Sequence, residues 1–145
     1  MNEGLNFASQ VNDWVKQSKD RMRRVALEST QRLASIISNG VPVDTGFARA
    51  SVRASLDAMP LIDPSARPVE GQTYAYDGGA AISASIAGLQ IGQTIHVGWT
   101  ASYVIYLEYG HSKQAPQGFV RIGCAQWPSI VAEVSEEAQA LAGSG

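Results

Sequence analysis

The sequence contains few of the residues that most often build catalytic centres and metal sites. Among its 145 residues are one cysteine, Cys124, and two histidines, His96 and His111. A lone cysteine excludes an intrachain disulfide bond. Glu108 and these three residues are scattered along the chain, and their spacing matches no known metal-binding motif. We therefore expect neither a metal nor another cofactor, and we interpret both histidines as solvated or structural side chains.

The sequence also lacks the long apolar segments that membranes require. No run approaches about 18 apolar residues, so we expect no membrane span. The N-terminus lacks the order of charged and then apolar residues that is typical of a signal peptide. Together with the single cysteine, these features indicate a protein made and used inside the cell, or built there into a larger particle.

Charge is scarce overall and is unevenly distributed. The formal net charge is −2, so the total does not indicate a nucleic-acid-binding protein. Residues 1–53 contain eight Lys or Arg against five Asp or Glu, whereas residues 54–145 contain three against eight. The first part therefore carries +3 and the second −5. Because opposite patches attract each other, this asymmetry favours head-to-tail contacts between copies.

A long amphipathic helix is predicted over residues 10–39. Ser18 and Ser29 fill the gaps in an apolar face with helical spacing. That face consists of Val11, Trp14, Val15, Met22, Val25, Ala26, Leu33, Ile36 and Ile37. At 1.5 Å per residue such a helix would be about 45 Å long, more than a domain of this size needs, so we expect part of it to project toward a neighbour. We expect residues 1–8 to be a loose lead and residues 142–145 to be frayed.

The polar face of this helix carries most of the positive charge of the chain. A basic helix can bind nucleic acid. However, Asp13, Asp20 and Glu28 interrupt the charge, and no aromatic residues are interleaved with it for base stacking. We therefore favour contact with protein. The candidate contact residues are Lys16, Lys19, Arg23 and Arg24.

The middle of the chain predicts short strands and one small helix. Residues 51–57 and 94–99 alternate between apolar and polar side chains, as half-buried strands do. We expect residues 72–76 to add a short edge strand. Prolines within residues 59–71 favour a surface loop, and the small residues of 80–88 predict a helix that can pack closely on a sheet.

The triplet Asp44-Thr45-Gly46 has two interpretations. Asp-Thr-Gly is also the triplet of aspartic proteases, in which two carboxylates share a proton. This chain has one such triplet, so a protease would have to be a dimer, and the triplet should follow a hydrophobic strand rather than a long helix. We favour a capping role, in which Asp44 or Thr45 accepts from free backbone N–H groups and Gly46 permits a tight turn.

The last predicted helix spans residues 117–141 and is interrupted at Trp127-Pro128. An interior proline removes a hydrogen bond, so we expect a bend near residues 124–128 or two abutting helices. Its far end is acidic and is a candidate mate for the basic first helix, through Glu133, Glu136 and Glu137. The predicted fold is a single α+β domain over residues 1–145. It has a long N-terminal helix, a kinked C-terminal helix, a short middle helix and a small, mainly antiparallel sheet of about three strands.

The stretch from residue 103 to residue 120 is dense in large side chains in its first half. We expect it to begin with a buried aromatic anchor on a short helical turn, made of Tyr103, Tyr106, Leu107 and Tyr109. Gly110 ends this turn, since glycine takes the left-handed conformation, and Pro116 suits the first turn of the next helix. Surface loops on rigid anchors often carry function. We therefore select the intervening loop as a candidate contact, through His111, Ser112, Lys113 and Gln114.

Two motifs in this chain resemble signatures of tailed-phage neck proteins. The first is Tyr103-x-x-Tyr106-Leu107-Glu108-Tyr109-Gly110, continued by Ser112-Lys113 and Ala115-Pro116 and followed by Phe119-Val120-Arg121. The second lies upstream and comprises Pro42, Asp44, Thr45 and Gly46, then Ala48-Arg49-Ala50-Ser51. In this order and spacing the chain is similar, over about residues 5–140, to tail-completion proteins of siphophages, the group of the lambda minor tail protein Z. Ser102 in place of proline and Gln117-Gly118 in place of Arg-Pro depart from the family's pattern.

The resemblance implies a structural virion protein of the phage neck rather than an enzyme. Such a protein completes the tail end and helps join tail to head as part of a ring, which we expect to be a hexamer, around the DNA channel. Its partners would be further copies of itself, the tail terminator or tail tube, and the head-closure proteins, while DNA would only pass through. It would be assembled in the host cytoplasm and reside in the virion tail. The alternatives are a small dimeric aspartic-type protease that uses Asp44 and a DNA-binding module that uses the basic helix.

Overall fold

The protein combines helices with one small sheet, and the computed structural model describes residues 2–41, 46–109 and 118–143. In chain order the elements are α1 (Asn2–Gly40), α2 (Phe47–Ala50), β1 (Val52–Ser55), α3 (Ala80–Ile86), β2 (His96–Trp99), α4 (Val104–Glu108), α5 (Val120–Cys124) and α6 (Trp127–Gly143). The predicted mixture of a long N-terminal helix, further helices and a small antiparallel sheet is therefore confirmed.

The sheet consists of β1 and β2, which pair antiparallel. Their partners are Val52 and Trp99, Arg53 and Gly98, Ala54 and Val97, and Ser55 and His96. The pairing extends one residue further, because both the N–H and the hydroxyl of Thr100 donate to the carbonyl of Ser51, at 3.1 and 2.9 Å. Both strands lie inside the segments predicted for them, residues 51–57 and 94–99.

The prediction of a third strand over residues 72–76 is wrong. The described chain has a two-stranded sheet, and no strand is assigned to that segment. Tyr74 is instead held by its side chain. Its ring packs edge-on against Phe47 with centroids 5.0 Å apart, and its hydroxyl accepts the backbone N–H of Val69 at 3.0 Å. The segment packs on α2 rather than extending the sheet.

The core lies between the sheet, α3 and the second half of α1. Helix α3 packs on both β1 and α1, as its small residues allow, and its Ile82 and Ile86 are fully buried. Ala34 and Ile37 are buried on the side of α1 that faces this core. The helix predicted over residues 80–88 is therefore confirmed.

The C-terminal segment forms two helices that meet at a turn. Residues 125–126 form this turn, inside the interval in which the sequence predicts a bend. Pro128 lies in the first turn of α6, where the N–H that proline lacks would have no helical partner. Both α5 and α6 pack on α1. Gly123 approaches α1 so closely that a Cβ atom there would lie 2.3 Å from Cγ1 of Ile37.

The first helix begins earlier and the last helix ends later than predicted, whereas the C-terminal helical segment starts at Val120 rather than at residue 117. Helix α1 begins at Asn2, so the loose lead expected over residues 1–8 is helical from its second residue. Nothing in that stretch stops a helix, since it contains no proline and Gly4 lowers helix stability by only about 1 kcal/mol. Helix α6 continues to Gly143, so the first two of the residues 142–145 are helical, and their fraying stays a prediction.

Two short helices lie next to the strands in the chain, α2 directly before β1 and α4 after β2. Helix α2 occupies the place of the short turn expected after Gly46, and α4 is the helical turn predicted from Tyr103 onward. No helix in the described part of the chain combines the length and the hydrophobicity that crossing a lipid bilayer requires.

Candidate interaction surfaces

Glu108, at the end of α4, caps the start of α5. Its Oε2 accepts the backbone N–H groups of Phe119 and Val120 at 2.9 and 2.7 Å. Its Oε1 accepts the backbone N–H of Arg121 at 3.0 Å. N–H groups at the start of a helix have no partner within it, and a carboxylate there also interacts favourably with the helix dipole. Glu108 therefore joins the end of α4 to the start of α5.

Arg121 closes the same contact from the other side. Its Nε donates to Oε1 of Glu108 at 2.9 Å and its Nη2 donates to the Glu108 carbonyl. The guanidinium also lies 5.2 Å from the ring centroid of Tyr109, a distance suited to a cation–π contact. We name this arrangement the Glu108 clasp, and its members are Glu108, Tyr109, Gly118, Phe119, Val120 and Arg121.

Gly118 is the backbone element on which the clasp depends. Its φ is +86°, and a Cβ atom at this position would lie 2.6 Å from the Glu108 carbonyl oxygen. Glycine alone adopts this conformation freely and leaves room for the contact. Proline, expected here from the resemblance, has φ fixed near about −65°. The clasp geometry of this chain is therefore specific to its glycine.

The clasp also sets the charge state of Glu108. Burial raises the pKa of this carboxyl group, but the N–H groups of Val120, Phe119 and Arg121 together outweigh burial and bring the pKa below its usual range. The folded protein thus favours the carboxylate more than the unfolded chain does. Protonation of Glu108 in acid consequently opposes folding.

The aromatic anchor predicted next to the clasp is buried on one side only. Tyr103 stacks on Phe47 with ring centroids 6.4 Å apart, and Leu107 is half-buried. Tyr106 and Tyr109 are exposed, so the prediction that they are buried is wrong. Helix α4 is a short surface helix, and only one of its faces meets the core while the other meets solvent.

Part of both sequence motifs lies outside the described residues. Gly46 is described, with a φ of +84°, and a Cβ atom there would lie 2.1 Å from the carbonyl oxygen of Tyr74, so glycine is required. The motif residues outside the described ranges are Pro42, Asp44, Thr45, Gly110, Ser112, Lys113, Ala115 and Pro116. The contact candidates outside them are His111, Ser112, Lys113 and Gln114. The capping role of Asp44 and the protease alternative both stay predictions.

An apolar hollow of about 240 Å³ lies beside the clasp. Its walls include the exposed side chains of Met59, Ile105 and Tyr109. Its lining also includes Trp99 and Phe119, whose rings meet edge to face with centroids 6.0 Å apart. Exposed apolar area of this kind is typical of contact surfaces, so the hollow is one candidate.

The first half of α1 provides a larger candidate surface. We call residues 6–22 the α1 arm, and every side chain in it is exposed except that of Ser18, which is half-buried. Five large apolar side chains recur at helical spacing along one face and are between 37% and 68% exposed. We call them the arm stripe, and they are Phe7, Val11, Trp14, Val15 and Met22. Part of the first helix thus stands clear of the core, as its length predicts.

The basic candidates on α1 fall into two groups. Those with exposed side chains are Lys16, Lys19 and Arg24. Arg23 instead folds back onto the segment that follows α3. Its Nε donates to the carbonyl of Leu89 at 2.7 Å, and its Nη2 donates to the carbonyl of Ala87. These carbonyls have no partner within a helix, so Arg23 supports the fold.

The acidic candidates on α6 fall into two groups as well. Glu137 pairs with Arg32 of α1, with Oε2 and Nη2 2.6 Å apart, and the hydrogen bond from Arg32 lowers the pKa of Glu137. Glu133 lies farther from Arg32, with 3.9 Å between Oε1 and Nη1. Glu136 is exposed. The predicted attraction between the basic first helix and the acidic last helix therefore exists within one chain, through Arg32.

Within residues 2–41, 46–109 and 118–143, no group of three or more His, Cys, Asp or Glu side chains is placed to hold a metal ion. Comparison with family models, with curated proteins and with solved structures finds no match for this chain. The two candidate surfaces are therefore interpreted from their own geometry and charge.

Proposed function

We propose that the protein is a structural virion protein of the phage neck, which completes the tail end and helps join tail to head within a ring around the DNA channel. The observation that carries this proposal is the arm stripe, a row of five large apolar side chains that the chain itself leaves exposed. A continuous exposed stripe is typical of a surface that another chain covers. Such a feature serves binding.

The two sequence motifs support the phage assignment. They occur in the order and spacing of the tail-completion proteins of siphophages, and the ring, the expected hexamer and the partners follow from that resemblance. The partners would be other copies of the chain, the tail terminator or tail tube and the head-closure proteins. A closed ring uses heterologous contacts, in which one patch of each copy meets a different patch of the next. The uneven charge of the chain suits such contacts.

The Glu108 clasp supports the proposal from a second position. It joins the described residues on either side of positions 110–117, because Glu108 accepts hydrogen bonds from three successive backbone N–H groups, those of Phe119, Val120 and Arg121. A segment whose flanking residues are held in place loses less entropy when it binds a partner. This segment includes His111 and Lys113, and we expect it to contact a neighbouring neck protein.

Complementation of tails tests this function. The gene would be deleted in the phage or prophage that encodes the chain, and purified protein would be added to the resulting lysate. We expect unjoined heads and tails without the protein, joined particles after its addition, and ring density at the head-proximal end of tails by electron microscopy. Particles that join normally without the gene, or tails that never bind the protein, would overturn the proposal.

Asp44→Ala separates this function from the protease alternative. If Asp44 caps a turn, the variant loses about 1 kcal/mol of unfolding free energy and still joins tails to heads. If Asp44 is a catalytic acid, the variant keeps its unfolding free energy and loses its proteolytic activity. Thermal unfolding and the lysate assay, performed on the same preparation, distinguish the two.

A further inference from the structure

The arm stripe continues the face of α1 on which α6 lies. Trp14 and Arg32 are 18 residues apart in sequence. This is five turns of a helix with 3.6 residues per turn, so both side chains leave α1 on the same side. Arg32 forms the ion pair with Glu137 that joins α1 to α6. The exposed stripe is therefore an extension of an existing interface between two helices.

Helix α6 of the same chain is too short to cover this extension. It has 17 residues, with Glu137 ten residues from its start and six from its end. From Glu137 it reaches at most about 15 Å in either direction, whereas Trp14 lies about 27 Å along α1 from Arg32. No helix in the described part of the chain covers the stripe, whose side chains are exposed, so we consider a helix of another molecule as its partner.

The edges of the arm stripe are basic. Helical periodicity places Lys19 along one edge and Arg21 along the other, with Asp13 and Asp20 on the opposite side of the helix. All four side chains are exposed. Two arm stripes packed against each other would bring like charges together, which disfavours that pairing. The charges favour a partner helix with acidic residues beside small or apolar ones.

The outer face of α6 has these properties. The helix buries Ile130, Val134 and Ala138. The opposite face exposes Ser129, Ala132, Glu136 and Ala140, whereas Glu133 lies at its margin, 3.9 Å from Arg32 of the same chain. The serine and alanines leave room for the phenylalanine and tryptophan of the stripe, and Glu136 suits its basic edges. The lengths agree too, since α6 is about 25 Å long and the stripe from Phe7 to Met22 about 22 Å.

We infer that the α1 arm of one copy docks on the outer face of α6 in a second copy. This contact is head to tail and rests on the proposed function, because it is the contact that would build the ring. Each copy offers one arm and one α6 face, so the contact can repeat from copy to copy. The basic edge formed by Lys19 or Arg21 then lies near Glu136 of the next copy, whereas Arg23, Glu133 and Glu137 keep their contacts within their own chain.

Two variants of the full-length chain test this docking by mixing. Trp14→Asp breaks the arm stripe, and Glu136→Arg reverses the charge of the α6 face. Sedimentation velocity is run on each variant alone, on their equimolar mixture and on the wild type, up to about 1 mM. Ser9→Asp, on the side of the arm away from the stripe, is the matched control. Thermal unfolding of every variant checks the fold.

We expect the wild type and Ser9→Asp to form species larger than a monomer, and each of the other variants to associate at least tenfold more weakly. The mixture should form a one-to-one complex, because the Glu136→Arg chain keeps its arm and the Trp14→Asp chain keeps its α6 face. A wild type that stays monomeric throughout, a mixture with no new complex, or a Glu136→Arg chain that associates normally would each overturn the docking.

A lipid surface is the competing occupant, because an amphipathic helix with basic edges can also bind anionic membranes. Vesicles of phosphatidylcholine and phosphatidylserine test this. The proposed docking would be overturned if the wild type sediments with vesicles, Trp14→Asp does not, and the wild type shows no self-association. Docking without rescue of tails would instead overturn the proposed function alone. Rescue of tails by a Glu136→Arg chain at full efficiency would overturn the docking alone.

Discussion

The two halves of α1 share one hydrophobic pattern and have opposite surroundings. In the second half, Ile37 is buried in the core. In the first half, Trp14 and Met22 are among the most exposed apolar side chains of the described residues. The difference arises because α3, α5 and α6 pack on the second half, and α6 ends before it could cover the first. Periodicity thus predicts that a face will be covered, but not which molecule covers it.

Truncation of one apolar side chain in each half gives the largest expected contrast. Ile37→Ala removes a side chain that is 3% exposed and should lower the unfolding free energy by about 2–5 kcal/mol. Met22→Ala removes one that is 58% exposed and should change it by less than about 0.5 kcal/mol. Urea unfolding of the dilute protein, where self-association is negligible, measures both. Equal losses in the two variants would mean that the arm packs on its own body.

Glycine-to-alanine substitutions distinguish two effects on stability. One is the steric fit of the backbone in the packed part of the fold, and the other is helix propensity near the α1 arm. Gly46→Ala places a side chain at positive φ and against the Tyr74 carbonyl, so we expect a loss of about 2–3 kcal/mol. Gly71→Ala also has positive φ but meets no atom within 4 Å, and should lose about 1 kcal/mol.

Gly4→Ala completes this series at the start of α1. The glycine is helical and a Cβ atom there meets nothing within 4 Å, so alanine should stabilise the local helix by about 0.5–1 kcal/mol. Circular dichroism reports the gain in helix content, and urea unfolding should barely change. A loss at Gly4 as large as that at Gly46 would contradict the distinction between arm and body.

Removal of the Glu108 carboxylate tests how much the Glu108 clasp stabilises the folded protein. Glu108→Ala leaves three backbone N–H groups without their acceptor and should lower the unfolding free energy by about 2 kcal/mol. Asp20→Ala removes an exposed carboxylate from the α1 arm, and a change within about 0.5 kcal/mol is expected. Thermal unfolding of both variants gives the comparison. A Glu108→Ala protein as stable as the wild type would show that the cap has no energetic role.

The smallest expected effect is the pH dependence of the clasp. The pKa of Glu108 is lowered on folding, so its carboxylate stabilises the folded state above the unfolded pKa of about 4.5. That contribution is lost as the pH falls from this value through the folded pKa. Between pH 7 and pH 3, the wild type should therefore lose more stability than Glu108→Ala does. Parallel unfolding curves for the two proteins would contradict this assignment.

Local signals explain which parts of the fold the sequence predicts. Alternation of side chains located both strands, and the small residues of 80–88 located α3. The bend near Pro128 followed from the missing N–H of proline. The prediction of a third strand is wrong because the ring of Tyr74 packs on Phe47 and its hydroxyl accepts the backbone N–H of Val69. No local sequence pattern contains this tertiary arrangement. The start of α1 was missed because nothing in the sequence before residue 10 marks a boundary.

The candidate surfaces were less predictable, because they depend on which charged side chains form contacts within the folded chain. Arg23 looked like its neighbours in sequence, but the segment after α3 passes close to it and takes its hydrogen bonds. The cap that Glu108 provides joins residues 11 to 13 positions apart, beyond the three-residue spacing of an ordinary capping motif. The one available signal was that Glu108 is the only acid in its stretch.

The central claim is that the α1 arm is a surface for assembly. The most direct test is the molar mass of the full-length chain by light scattering behind a sizing column, across a concentration series, for the wild type, Trp14→Asp and Ser9→Asp. If the α1 arm is a surface for assembly, the wild type and Ser9→Asp exceed the monomer mass of 15.4 kDa increasingly with concentration, while Trp14→Asp remains at it. A wild type that stays at the monomer mass throughout, or a Trp14→Asp chain that assembles as the wild type does, would show that the arm has no such role.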